Sequence, residues 1–194
     1  MTVETIKAFI NELADSDENT RQGAGVELIE IGLDSVLPLI DALEHDNAQV
    51  RYLSAWALGE IGDQRAVEPL MKTLYDSEPR VQDWSARALG ELGAKQAIKP
   101  LISALASQHP STRRNAAAAL GWLDAHDALP SLCLALRDEN PDVRSTVADA
   151  IGKIGESSTA TYLIDCTQDD DAWVRVSVVK SLGDLGNIIA EDTL

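Results

Sequence analysis

The sequence predicts an all-α fold, an α-solenoid (superhelix) of about six two-helix repeats with a period of about 31 residues, and three observations predict it. Arg21, Arg51, Gln82, Arg113, Arg144 and Arg175 recur at intervals of 30, 31, 31, 31 and 31 residues. A period of that size marks stacked repeats that bury their apolar faces only against one another. Upstream of these ruler positions runs a leucine column, Leu39, Leu70, Leu101, Leu132 and Leu163, followed four residues on by Leu43, Leu74, Leu105 and Leu136. Eight residues downstream of the ruler runs a glycine column, Gly59, Gly90, Gly121, Gly152 and Gly183.

The first helix of each repeat, such as VLPLIDALEH at 36–45, carries the leucine pair, and residues i and i+4 share one helix face that points into a core. Pro38, Pro69 and Pro100 sit near the helix starts, where the missing donor of proline costs least. The turn that follows has Asp17, Asn47, Glu78, His109, Asn140 and Asp171 in one column and Pro79, Pro110 and Pro141 in the next. That pattern caps the orphan N–H groups of the second helix. The acidic runs DSDEN at 15–19 and DDD at 169–171 read as caps on a solvated edge, with a site for a basic partner as the alternative.

Second helices are numbered here from the ruler residue. Positions +3, +4, +6 and +7 are small or apolar (Ser54, Ala55, Ala57, Leu58; Val147, Ala148, Ala150, Ile151), and +10 is always apolar, so these face the core. A glycine inside a helix costs roughly 1 kcal/mol against alanine, so its recurrence at +8 predicts close approach by neighbouring backbone. The first repeat has Ile29 there, with Gly23 and Gly25 nearby, and reads as an atypical terminal cap. A cation in the first turn of a helix opposes the macrodipole, so the ruler arginines are expected to pair with the acidic turns in a ladder between repeats. The final GNIIAEDTL either caps the last repeat with Ile188, Ile189 and Ala190 or leaves an apolar end for a partner or second copy.

These elements consume the chain. The expectation is a single domain, 1–194, with repeats at about 1–35, 36–65, 66–96, 97–127, 128–158 and 159–194, the first and last acting as caps. With 16 Lys and Arg against 32 Asp and Glu, the net charge of −16 repels phosphate backbones and anionic headgroups, which argues against nucleic acid and membrane partners. No basic stretch precedes an apolar run at the N-terminus, and no window approaches the roughly 20 apolar residues of a span. A cytoplasmic location is expected. Cys133 shares a column with Ile40, Met71, Ile102 and Ile164, and Cys166 with Ala42, Thr73, Ala104 and Ala135, so both read as buried, unliganded packing residues. His45, His109 and His126 have no metal-binding spacing, and no metal site is expected.

The segments GDQRAVEPLMKTLYDSEPRVQDWSARALGELG and LCLALRDENPDVRSTVADAIGKIG, with their recurring DxxPxVR…A…ALGxIG pattern, resemble HEAT-like repeats of the phycobilin-lyase type. The resemblance covers about 85 per cent of the chain, repeats two to six well and the first loosely. It implies one of several activities: a subunit that attaches or detaches bilins, an iron–sulfur assembly scaffold, a protein-binding adaptor, or a designed binder on the same consensus. The HE pairs of the HEAT-like hydroxylases are missing, which removes that enzymatic option.

Function is expected on the second helices, whose positions +1, +2, +5 and +9 should line a concave surface. Tyr52 (+1), Leu53 (+2) and Trp56 (+5) fall there in repeat two, Trp84 (+2) and Arg87 (+5) in repeat three, and Arg114 (+1) and Trp122 (+9) in repeat four, bordered by Glu60 and Glu91. Exposed Trp, Tyr and Arg dominate interface hot spots. The competing reading is that the tryptophans thicken the core, as Trp173 is expected to do. No general acid, base or nucleophile stands in a position that the repeat would orient, so a non-catalytic adaptor for a protein partner, without cofactor, is expected. The alternative is a lyase subunit or bilin chaperone in which the aromatics stack on an open-chain bilin and Arg87 and Arg114 pair its propionates. A second solenoid subunit is a further candidate partner.

Overall fold

The structure is a computed structural model that describes residues 2–191, with side chains described to residue 186. It is an all-α solenoid: twelve α-helices span the described residues and no strand occurs among them. The helices are α1 (Val3–Glu12), α2 (Glu18–Ile31), α3 (Val36–Ala42), α4 (Ala48–Ile61), α5 (Val67–Thr73), α6 (Pro79–Glu91), α7 (Ile98–Ala104), α8 (Pro110–Trp122), α9 (Leu129–Ala135), α10 (Pro141–Ile154), α11 (Ala160–Asp165) and α12 (Ala172–Glu191). The chain divides into two compact units, Met1–Ala97 and Ile98–Leu194. In the N-terminal unit α1–α2, α3–α4 and α5–α6 are hairpins, and α2, α4 and α6 pack side by side. In the C-terminal unit the hairpins are α7–α8, α9–α10 and α11–α12, with α8, α10 and α12 side by side.

The leucine column is the core of each unit. Leu39, Leu70, Leu101, Leu132 and Leu163 are all fully buried, and each contributes about 1.5–3 kcal/mol by leaving water. Capping follows the sequence only in part. Asp17, Asn47, Asn140 and Asp171 accept N–H groups of the helices they precede, whereas Glu78 and His109 make no side-chain cap bond. Both are followed by proline at N1, which removes one of the orphan donors instead. Second helices end in a left-handed residue at Gly62, Gly93 and Gly155, with φ of 78°, 64° and 74°. Asp124 holds the corresponding place at φ 51°, a conformation in which only glycine escapes steric cost.

The +8 glycines are notches. A Cβ on Gly59 would stand 3.0 Å from Ala88 Cα, one on Gly121 2.9 Å from Ala150 Cα, and one on Gly152 3.0 Å from Ser181 Cα. In each case the +6 residue of the next second helix fills the notch, so any side chain at +8 would push two helices apart.

The ruler forms the expected ladder. Arg51, Arg113 and Arg144 each donate Nε and Nη2 to both oxygens of the aspartate 25 residues on, Asp76, Asp138 and Asp169, at 2.6–2.8 Å. Nη1 of the same arginines turns back to carbonyls of its own turn, for example His45 O at 2.8 Å and Ser107 O at 2.9 Å. Each aspartate also accepts the N–H two residues on, from Glu78, Asn140 and Asp171, at 2.9 Å. At Asp76 and Asp138 burial pushes the carboxyl up, but the arginine and N–H bonds outweigh it and hold the pKa below the usual carboxylate range. At Asp169 the Arg144 bond is the leading cause of the same depression. Gln82, which has no charge, makes the same turn clamp, Nε2 donating to Asp76 O at 2.6 Å. In the second repeat His45 stands in the aspartate position and accepts the Asn47 N–H, so no bidentate pair joins Arg21 to that turn.

Three sequence expectations are corrected or fall outside view. Cys133 and Cys166 are half-buried rather than buried, because both line an open groove. Trp173 is 76% exposed, since its column lies on the outer side of the second-helix start, where Asn19, Arg80 and Asp142 are exposed too. The expected capping side chains Ile188, Ile189 and Ala190 lie outside the described residues.

Candidate functional site

Three second helices of the N-terminal unit build a groove of about 440 Å³. It is walled by Arg21, Gln22 and Val26 from α2, Tyr52, Leu53 and Trp56 from α4, and Arg80 and Trp84 from α6. Its geometry begins at a glycine. A Cβ on Gly25 would meet Trp56 Cζ3 at 2.6 Å, so the absent side chain lets the indole pack directly on α2. Held there, Trp56 faces Trp84 with ring centres 6.3 Å apart and planes at 60°, a tilted arrangement that aromatic quadrupoles favour. The Arg80 guanidinium lies 5.0 Å from the Tyr52 ring centre and that of Arg87 lies 5.2 Å from the Trp84 ring centre. Both are cation–π distances. Tyr52, Trp56 and Trp84 are half-buried, neither sealed in the core nor free in solvent.

The sequence-derived strip is thus partly assembled. Tyr52, Trp56, Trp84 and Arg87 come together, but Leu53 is 7% exposed and belongs to the core, because it sits on the α4 face that packs inward and reaches only the groove floor. Glu60 and Glu91 are exposed at the border, and Glu91 Oε1 accepts from Arg87 Nε at 2.7 Å. Arg114 is exposed on α8 of the C-terminal unit. There too Trp122 is 45% exposed, with Lys153 Nζ 5.7 Å from its ring centre. Gly25 and Arg80 were missed. Arg80 is the one basic residue in its column, where the other repeats have Asn19, Gln49, Ser111, Asp142 and Trp173, which is the signal that could have found it.

A second groove, of about 510 Å³, lies in the C-terminal unit between α9 and α11, lined by Leu129, Cys133, Leu134, Tyr162 and Cys166. Burial pushes both thiols above their ordinary pKa, which disfavours the thiolate. Among the described residues no group of three or more His, Cys, Asp or Glu is placed to hold a metal, and no helix is long and apolar enough to cross a membrane.

The sequence pattern of HEAT repeats matches residues 6–85, 67–135 and 129–194. The chain belongs to the HEAT repeat family. Solved structures of similar fold include YibA from Escherichia coli, 19% identical with a TM-score of 0.76 over 97% of this chain and 77% of that one. The complex of CpcE and CpcF of phycocyanin lyase from Nostoc sp. PCC7120 is 25% identical, with a TM-score of 0.68 over 93% of this chain and 77% of that one. A designed armadillo repeat protein in complex with the peptide (KR)4 is 17% identical, with a TM-score of 0.60 over 93% and 99%. No curated protein matches this HEAT repeat chain.

Proposed function

We propose that this chain is a non-catalytic HEAT repeat adaptor and that the groove on α2, α4 and α6 grips an apolar or aromatic side chain of a partner protein. The observation that carries this reading is the half-exposed Trp56–Trp84 pair set against Gly25, with Tyr52 and Arg80 on its rim. Rigid aromatics pre-set in an open groove lose little entropy on contact and supply most hot-spot energy. Panning a displayed peptide library on the immobilised protein tests it. A common motif with an aromatic or large aliphatic anchor should emerge, and Trp84→Ala should abolish its capture while the far-ultraviolet circular dichroism stays unchanged. A motif indifferent to Trp84→Ala, or none at all, sinks the reading.

The likeness to the CpcE and CpcF complex favours a second reading, in which the same aromatics stack on an open-chain bilin. Here Arg87 is already engaged by Glu91 at 2.7 Å, so a propionate has to displace that carboxylate. Titration with biliverdin, read as a red shift of its long-wavelength band that Trp84→Ala removes, separates this reading from the first.

A further inference from the structure

The end of the C-terminal unit repeats, without an occupant among the described residues, every device by which one hairpin of this chain holds the next. The +4 residues Ala55, Ala86, Ala117 and Ala148 are fully buried, yet Val179 at +4 of α12 is 61% exposed, beside Val176 at 57% and Trp173 at 76%. The +8 notches of Gly59, Gly121 and Gly152 are filled, whereas a Cβ on Gly183 would meet nothing within 4 Å. Arg175 clamps its own turn through Nη1 to Asp169 O at 2.7 Å and Asp170 O at 3.1 Å, as the other rungs do. Its side chain is exposed, and no described carboxylate occupies the Nε and Nη2 edge that Asp76, Asp138 and Asp169 fill for Arg51, Arg113 and Arg144.

The start of the N-terminal unit offers the matching half. Asp15 occupies the rung column of the first turn and already has the rung geometry, Oδ1 accepting the Asp17 N–H at 2.8 Å, with its side chain exposed. On α2, the side that later repeats turn toward the preceding hairpin carries Gly23, Glu27 and Glu30, all exposed. Their carboxylates complement the exposed Arg175 and Lys180 of the other end. Glu27 stands at +6, where the other repeats have Ala or Ser, and a carboxylate in a +8 notch has a precedent in Glu91 Oε2, 2.8 Å from the Cβ position of Gly59.

We propose that copies of this chain associate head to tail, Arg175 of one copy closing its bidentate pair on Asp15 of the next while Val176, Val179 and the Gly183 notch receive that copy's α2. The contact is heterologous, so it propagates into a ring or an open chain rather than a closed two-fold dimer. The net charge of −16 opposes approach, and physiological salt, with a screening length of about 8 Å, relieves that repulsion while leaving a desolvated rung in place.

Sedimentation velocity from micromolar to millimolar protein at physiological ionic strength tests it. The weight-average mass should rise with concentration, and Arg175→Asp and Asp15→Arg should each weaken association about tenfold or more. An equimolar mixture of the two variants should recover it, because every junction between unlike copies again pairs opposite charges. Gly183→Leu, which has open space in the single chain, should block the notch without lowering the melting temperature. A chain monomeric at every concentration overturns the proposal. So does association untouched by Asp15→Arg and Gly183→Leu, or a mixture that stays dissociated.

Discussion

The same slot between two neighbouring second helices is filled in opposite ways in the two units. In the N-terminal unit, +5 of one helix and +2 of the next are Trp56 and Trp84, ring against ring at 6.3 Å. In the C-terminal unit the same two positions are Asp149 and Ser177, with Ser177 Oγ donating to Asp149 at 3.3 Å and Lys180 Nζ 3.6 Å from the same carboxylate. Both slots sit over the same frame of +8 notch, +4 alanine and Arg–Asp rung. A small polar pair therefore suffices to stack two hairpins, and the aromatic pair exceeds what stacking requires. That excess is what a binding surface looks like when the scaffold is held constant.

The sharpest way to break this comparison is to attack the shared frame. Gly152→Leu should destabilise the C-terminal unit by about 3 kcal/mol, the upper end of the overpacking range, because Ser181 Cβ and Oγ at 2.6 Å and its Cα at 3.0 Å stand in the way. Chemical denaturation measures it, and a cost below about 1 kcal/mol means that the notch is loose. Arg113→Ala comes next at about 2 kcal/mol, since Asp138 loses two charge-assisted bonds while staying largely shielded.

Substitutions within the slots should separate the units. Trp84→Ala should cost about 1 kcal/mol or less in stability yet remove partner capture, while Asp149→Ala should cost a few tenths and change no binding. If Trp84→Ala instead unfolds the N-terminal unit early, the aromatic pair is structural and the groove reading fails.

Acid should also divide them. Asp76, Asp138 and Asp169 have folded pKa values below the ordinary 3.8. Their stabilisation is thus complete above the unfolded value and is lost as pH falls through the depressed folded values. Of the described rungs, two lie in the C-terminal unit and one in the N-terminal unit. Hydrogen exchange between pH 5 and pH 3, corrected for intrinsic rates, should show the larger loss of protection in α8, α10 and α12. The smallest effect is a gain: Asp124→Gly relieves a left-handed residue and should raise stability by up to about 1 kcal/mol.

Much of this architecture is legible in the chain itself. The ruler spacing yields the hairpins, the leucine column the core, the +8 glycines the close approaches and the arginines the ladder, because each depends on which residues share a helix face. What the columns do not contain is lateral distance between neighbouring helices. Trp56 and Gly25 lie 31 residues apart as members of different columns, and only folded spacing shows that one fits the other. The same gap explains Leu53, whose exposure depends on how α4 rotates against its neighbours, and the cysteines, which line a groove rather than a seam. Trp173 differs from the expectation because its column lies on the outer side of the helix start, where Asn19, Arg80 and Asp142 are exposed as well, and residue type alone does not show that.

The missing first rung gives the aromatic groove a second consequence. With His45 in the place of an aspartate, the α1–α2 hairpin is fastened to the rest of its unit by burial of Ile6, Leu13 and Leu28 and by the Trp56 ring lying on Gly25. Its opening equilibrium therefore depends on the same indole that lines the groove. A ligand that fixes Trp56 should slow local unfolding of α1 and α2 by the ratio of its free concentration to its dissociation constant. The first hairpin becomes a reporter of occupancy, readable by amide exchange without labelling the partner.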